Sequence, residues 1–458
     1  MPLYSMTGED KNALDFDGRL ANAAVIGAGG KMGRGIALVL ALELAKMAAT
    51  RPGLRPRLCL VEQDEMALQA AVAYIETQAA RWAEKNINAL RALYAPRRVL
   101  VENAEMVEAF TRATARSLAP GRAVESTAGV ELVFEAVHED EELKARLLAR
   151  AGALAAPEAW FLTNTSSIPI AALERASGLS GRLMGFHFYN PPAVQKLVEL
   201  IPAAGTRAPL RDFALALAGR LGKTAVPVND VAGFIGNGQF IREAVFAIAL
   251  AGELSKIHGE AEAYGVLQIF TRDWLLRPMG VLQVVDYIGL DVFSMIAAVM
   301  EKHGAGERLT LGPVPQLLAR GIVGGLHPDG RQRDGFYRYG PAGVEAVVAP
   351  SRGEYQPLAA LAVTLEAWCG PKPAGWAPWS RLQREPGGRA AVAAYLEALA
   401  AHPGAGGELA RRYLDRCRAI AEGLLAKGAA QTPEDVDQVM TLGFNLLYGP
   451  CAWKAAAQ

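Results

Sequence analysis

Cysteine, histidine and excess charge are scarce in this chain, and each scarcity narrows what it can do. Its 458 residues include four cysteines, Cys59, Cys369, Cys417 and Cys451. None forms a CxxC pair or a zinc spacing, so they read as ordinary reduced thiols rather than metal ligands. Lys plus Arg total 47 and Asp plus Glu total 47. A balanced charge gives no global pull toward nucleic acid or an anionic membrane, although a local basic pocket for a phosphorylated ligand stays compatible with it. No run of about 18 apolar residues occurs, so no membrane span is expected. The first twenty residues are polar and acidic and lack the apolar segment of a secretion signal. A soluble, cytoplasmic chain is the expectation. What is abundant is apolar residue, 51% of the total, enough for a large core in two to four domains.

In the first half, short apolar runs alternate with helical patterns. Residues 22–28, 57–62, 131–137, 159–163, 183–188 and 224–228 read as strands. The stretch 64–93 reads as helix and carries Lys85. Alternation of this kind predicts a parallel sheet with helices on both faces. After about residue 230 long helical stretches dominate. A Pro- and Gly-rich linker covers about 367–389, and 405–458 is helical again. The blocks REAVFAIALAG…LRPMG and AEGLLAKG…LLYGP resemble each other weakly, as an internal duplication would. The expected architecture is α/β: a Rossmann-type domain over 1–205, then an all-α region in two repeats, 206–345 and 346–458.

Two local patterns point to chemistry. Gly27-Ala28-Gly29-Gly30-Lys31-Met32-Gly33 follows a predicted strand and opens a predicted helix. That context suits a dinucleotide: one glycine for a tight turn, one for backbone approach to a pyrophosphate, one for helix–strand packing, with the helix N-terminus adding N–H groups. The spacing is GxGxxxG, one residue longer than usual. Glu62 ends the second predicted strand, where an acid bonds the adenosine ribose hydroxyls and repels a 2′-phosphate, favouring NAD over NADP. A glycine-rich turn without ligand and a solvated strand-end glutamate are the plainer alternatives. The second pattern is His187, one of only six histidines, in GFHFYNPP at the end of a predicted strand. Carboxyl ends of strands face the ligand crevice in such sheets. Asn190 and two prolines force an exposed turn there, and Glu199 ends the next apolar run, KLVELI, where it could meet His187.

With EAVHEDEELK (135–144), LTNTSSIPI (162–170), DVAGFIGN (230–237), VDYIGLD (285–291) and DGFYRY (334–339) added, the chain resembles the L-3-hydroxyacyl-CoA dehydrogenases over most of residues 20–340. The resemblance implies an NAD-dependent enzyme acting on an acyl-CoA substrate. His187 would be the catalytic base and Glu199 its partner. Ser166 and Asn237 would contact the reacting oxygen of the substrate. Cofactor contacts would come from Gly27, Gly29, Met32, Gly33, Glu62, Glu139, Lys144, Asn190 and Arg331, and Lys85 would meet the coenzyme A tail. Against these stand simpler roles: Ser166 as a helix cap, Asn237 as a helix-start residue, Lys85 and Lys144 as solvated helix charges. A dehydrogenase of a small free hydroxy acid and a non-catalytic member that kept the fold are the competing functions.

Three features depart from the family pattern: the longer glycine loop, Gly238 where an arginine is usual, and QIFTRDWLLRPMG before the Pro-Met-Gly turn. The C-terminal third resembles the second helical repeat of longer members. The expected assembly is a monomer with an internal pseudo-dimer, or a homodimer.

Overall fold

Buried on both faces, the apolar runs of the first half assemble into one eight-stranded sheet in a computed structural model of the chain. It describes residues 16–454 except 52, 98, 99, 305, 328 and 329. The first unit, Met1–Asp230, holds β1 (Asn22–Ile26), β2 (Arg57–Val61), β3 (Leu118–Gly121), β4 (Leu132–Glu135), β5 (Trp160–Thr163), β6 (Leu183–Phe188), β7 (Leu197–Pro202) and β8 (Thr224–Pro227). Their order is β3-β2-β1-β4-β5-β6-β7-β8. β6 and β7 pair antiparallel and every other neighbouring pair is parallel. The order reverses between β1 and β4, and ligands bind outside the strand ends at such a switch point.

The helices of this unit are α1 (Phe16–Ala21), α2 (Lys31–Thr50), α3 (Glu65–Lys85), α4 (Ile87–Tyr94), α5 (Asn103–Ser117), α6 (Glu141–Leu154), α7 (Ile170–Ser177) and α8 (Ala208–Arg220). Asp64 and Asp140 start α3 and α6 by accepting from Ala67 N (2.9 Å) and Leu143 N (2.7 Å). The helix expected over 64–93 breaks at Asn86, whose side chain donates to Trp82 O. All six expected strands are present. β3 and β7 were not expected as strands: LAPG carries a proline and a glycine, which the sheet edge tolerates, and KLVELI was read only as an apolar run. The unit also runs past the boundary expected at 205. α8 and β8 lie beyond it, and β8 pairs with β7 in the same sheet, so the division falls at Asp230.

The second unit, Val231–Gln458, contains α9 (Gly236–His258), α10 (Glu260–Ile269), α11 (Val281–Ile288), α12 (Leu290–His303), α13 (Val314–Ala319), α14 (Leu358–Cys369), α15 (Trp379–Leu382), α16 (Gly388–Ala400), α17 (Gly404–Ala426) and α18 (Pro433–Gly443). It is helical as expected, with one addition. β9 (Tyr337–Gly340), β10 (Gly343–Ala349) and β11 (Glu354–Pro357) form an antiparallel sheet out of and beyond the DGFYRY segment. Asp286 on α11 draws that segment in, accepting from Phe336 N (2.7 Å), Tyr337 N (2.9 Å) and the Tyr339 hydroxyl (2.8 Å).

A single apolar core runs from Phe240 to Trp453, so the two expected helical repeats share one interior. α17 packs along α9, with Gln239 donating to Cys417 O (3.0 Å) and the Tyr413 hydroxyl to Glu243 (2.9 Å). The Tyr395 and Tyr448 hydroxyls donate to Trp274 O and Leu275 O, and Trp376, in the expected linker, donates to Asp273 O. Two departures from the family pattern therefore lie beneath the C-terminal helices. QIFTRDWLL receives three hydrogen bonds, from Trp376 in the linker, Tyr395 of α16 and Tyr448 after α18. At Gly238 a Cβ would sit 2.9 Å from Leu424 of α17. Any side chain there must push the Leu424 methyl aside. Gly238→Arg should overpack this contact and cost about 1–3 kcal/mol or more, read as a lower urea midpoint; an unchanged midpoint would show that α17 yields freely.

Candidate active site

The glycine loop lies at the switch point, between the ends of β1, β2 and β4. Gly27 N and Ala28 N donate to Val61 O at 2.9 and 3.1 Å. Gly27 has φ +83°, and a Cβ on it would meet Ala136 O, just past β4, at 2.8 Å. Glycine is required on both counts. A Cβ on Gly29 would lie 2.7 Å from Glu62 Cγ, and one on Gly33 would collide with Gly27 O. The extra residue is absorbed without lifting the helix off the loop: α2 begins at Lys31, with Gly30 as its N-cap. The half-buried Glu62 carboxylate accepts from Gly29 N and Asp64 N, each at 3.2 Å, so it is fixed beside the loop. Glycines that let backbone approach closely, a helix N-terminus and an adjacent fixed acid fit a dinucleotide. Met32 sits in the first turn of α2, partly buried against the core.

Beyond β4 lies a buried ionic cluster. Lys144 of α6 is 1% exposed and Glu135, the last residue of β4, is 0% exposed. The Lys144 ammonium donates to both Glu135 oxygens (2.9 and 3.1 Å) and to Val137 O (3.1 Å), and pairs with Glu139 at 3.3 Å. Lys144 is thus no solvated helix charge. Glu139 turns its other oxygen to the segment after β5. It accepts from Thr165 Oγ1 (2.6 Å), Ser166 N (2.8 Å), Ser167 N (3.0 Å), Ser167 Oγ (2.9 Å) and Ser166 Oγ (3.3 Å). Burial opposes ionisation of Glu139, but Lys144 and these donors outweigh it and hold its pKa below the usual carboxylate value. Burial likewise opposes charge on Lys144, and the two carboxylates reverse the balance, raising its pKa. Asp230 fixes the far side of the same turn by accepting from Ile170 N (2.6 Å) and Ala171 N (2.7 Å) at the start of α7.

His187, one residue from the end of β6, is the register partner of Glu199 on β7. Cross-strand partners share a face of the sheet. The His187 ring is 9% exposed, and its Nδ1 lies 2.7 Å from Oε2 of the fully buried Glu199. The Tyr189 hydroxyl donates to that same oxygen at 2.9 Å. The loop after β6, which carries Asn190, is held from two sides. Lys223 Nζ donates to Pro192 O (2.5 Å) and Gln195 O (2.7 Å), and burial lowers its pKa to about 8. Pro192 also sits over Gly35 of α2, where a Cβ would come within 2.7 Å.

One edge of the first unit therefore gathers Gly27, Gly29, Gly33, Glu62, Glu139, Lys144, Ser166, His187, Asn190 and Glu199. Lys85 is exposed at the last turn of α3. Asn237 and Arg331 belong to the second unit: Asn237 is in the first turn of α9, and Arg331 lines a cavity of about 1240 Å³ with Arg320, Arg333, Arg338 and Arg352. Glu135, Tyr189, Lys223 and Asp230 were not singled out from sequence. Glu135 had a visible signal, an acid inside the apolar run 132–137; Lys223 had none.

The strand order β3-β2-β1-β4-β5-β6 with a glycine loop at its switch point makes the first unit a Rossmann-type nucleotide-binding domain, and the histidine–carboxylate pair on the same sheet is suited to a dehydrogenase. The family described as "3-hydroxyacyl-CoA dehydrogenase, NAD binding domain" matches residues 22–231. A probable 3-hydroxybutyryl-CoA dehydrogenase of Deinococcus radiodurans is 33% identical over 216 residues, which are 46% of this chain and 73% of that protein. The chain belongs to the 3-hydroxyacyl-CoA dehydrogenase family, and its first unit is the family's NAD-binding domain. Among solved structures, 3-hydroxybutyryl-CoA dehydrogenase of Escherichia coli K12 is 26% identical with a TM-score of 0.61, over 94% of this chain and 90% of that one. FadB2 of M. tuberculosis is 26% identical with a TM-score of 0.50, over 66% of this chain and 95% of that one.

The ionic cluster carries a testable consequence. Lys144→Met leaves two buried carboxylates without their cation, a change that costs about 3–5 kcal/mol in such settings. In urea melts the deficit should be largest near neutral pH and shrink as the pH falls and the carboxylates take up protons. A loss below 1 kcal/mol at all pH values would mean that the cluster is not the anchor of this edge.

Proposed function

We propose that this enzyme interconverts (S)-3-hydroxyacyl-CoA and 3-ketoacyl-CoA with NAD, and that His187 is its general base. The observation that carries the proposal is the 2.7 Å contact between His187 Nδ1 and Glu199 at the sheet edge that holds the glycine loop. With a carboxylate as acceptor the ring proton stays on Nδ1, and Nε2 is left as the basic nitrogen. A histidine's ordinary pKa, about 6.5, suits proton exchange near neutral pH. Glu199 then stabilises the imidazolium formed when His187 takes the substrate hydroxyl proton. NAD, when bound, supplies the acceptor for the hydride leaving C3.

The remaining residues bind and orient. The Gly27–Gly33 loop and the start of α2 would hold the pyrophosphate, and Glu62 the adenosine ribose. Ser166 Oγ makes the longest of the five bonds to Glu139, 3.3 Å, and is the hydroxyl that the family resemblance directs to a substrate oxygen. The family resemblance also implies a substrate contact for Asn237. Two relatives named as 3-hydroxybutyryl-CoA dehydrogenases support a short acyl chain.

The test is a panel of 3-hydroxyacyl-CoA esters and free hydroxy acids, followed at 340 nm with NAD⁺ and with NADP⁺. Turnover of free acids alone would overturn the substrate assignment. His187→Gln should bind NADH and lose about 10²–10⁴-fold in kcat; activity within a few-fold of the parent would remove His187 from the chemistry. Glu62→Ala should narrow the preference for NAD⁺ over NADP⁺, since the fixed carboxylate no longer repels a 2′-phosphate. A preference that stays as wide would place discrimination elsewhere.

A further inference from the structure

We infer that Tyr189 is a positioning residue that tunes the basicity of His187 through the carboxylate they share. The inference rests on the assignment of His187 as the base. Glu199 is fully buried, and its Oε2 receives two donors, His187 Nδ1 at 2.7 Å and the Tyr189 hydroxyl at 2.9 Å. The Tyr189 and His187 rings lie 4.9 Å apart, so the phenol approaches the carboxylate from beside the imidazole. Burial, and then the neighbouring Glu199 charge, keep the phenol far from ionising, so Tyr189 can only donate in this contact. A phenylalanine ring would fill the same place and leave Glu199 with one donor fewer.

The consequence follows from competition for one oxygen. A phenol that donates to Oε2 withdraws part of the charge available to the imidazolium. The base is therefore less strongly protonated than it would be beside an unshared carboxylate. Hydrogen bonds to charged groups are the strong ones, and they act on both partners of a coupled pair. Other ionisable groups on the surrounding strands are engaged elsewhere. Glu135 and Glu139 close on Lys144, Lys223 on two carbonyls and Asp230 on two amides, and Lys196 is exposed at the start of β7. Tyr189 touches both members of the pair, through its hydroxyl to Glu199 and its ring beside His187.

The experiment is the pH profile of kcat/KM for oxidation of 3-hydroxybutyryl-CoA. In Tyr189→Phe the acidic limb should move to higher pH, by about half a unit or more, while NADH binding stays near the parent value. Replacing Tyr189 with 3-fluorotyrosine keeps the ring and strengthens the donor, and should move the limb the other way. In a Glu199→Gln background neither change should move it. A uniform fall at all pH values with the limb in place, or limbs that move in the same direction for both variants, would overturn the inference and leave Tyr189 a packing residue. The fluorotyrosine protein decides the matter even if Tyr189→Phe proves unstable. His187→Gln serves as the separate control: if it keeps its activity the assignment of the base fails, whatever Tyr189 does.

Discussion

A carboxylate removed from water must receive its hydrogen bonds from the protein, and the first unit meets that demand repeatedly along one edge of its sheet. Glu135 and Glu139 share one lysine that is itself buried. Glu199 is met by an imidazole and a phenol, and Asp230 by the first amides of α7. Each acid ties two chain segments together: β4 to α6, the turn after β5 to the end of β4, β6 to β7, and the end of the unit to α7. The polar edge is as fixed as the apolar interior because a buried charge tolerates less displacement than a buried methyl group. Catalytic groups need that fixity, since small errors in placement cost rate.

The parts of this arrangement that were legible in sequence are those written in local pattern. Short apolar runs gave away the strands, and the glycines after β1 marked the turn. The meeting of His187 with Glu199 was readable only as two polar residues in successive apolar runs; the antiparallel register that joins them was not. Other parts were hidden. Lys144 reads as one more helix charge until the fold puts two carboxylates around it. Lys223 follows an ordinary helix, and nothing local says that it reaches back to the carbonyls of Pro192 and Gln195. β3 was missed because the LAPG segment is a strand only by virtue of its neighbour. The boundary at 205 was too early because β8, beyond it, pairs with β7, and that pairing is not written in either segment alone.

The departures from the family pattern become intelligible once the C-terminal helices are in place. Gly238 and the segment around Trp274 look like losses when compared with a chain that ends earlier. Here they make the surface on which α16, α17 and the residues after α18 rest. A small residue gives α17 access to α9, and backbone carbonyls near Trp274 accept from tyrosine and tryptophan side chains. Departures of this kind report a change of neighbour rather than a loss of chemistry.

The joining of that surface to its cover by covalent chain has a physical consequence. When a helical face is covered by another molecule, the covering is a bimolecular equilibrium and weakens on dilution. Here the cover is part of the same polypeptide, so the local concentration of partner is set by chain length and is the same in a dilute solution as in a crowded one. Each side of the contact can also change alone, because a substitution on α9 is not copied onto α17. Gly238 on α9 and Leu424 on α17 can therefore be fitted one to the other without either change appearing a second time in the contact.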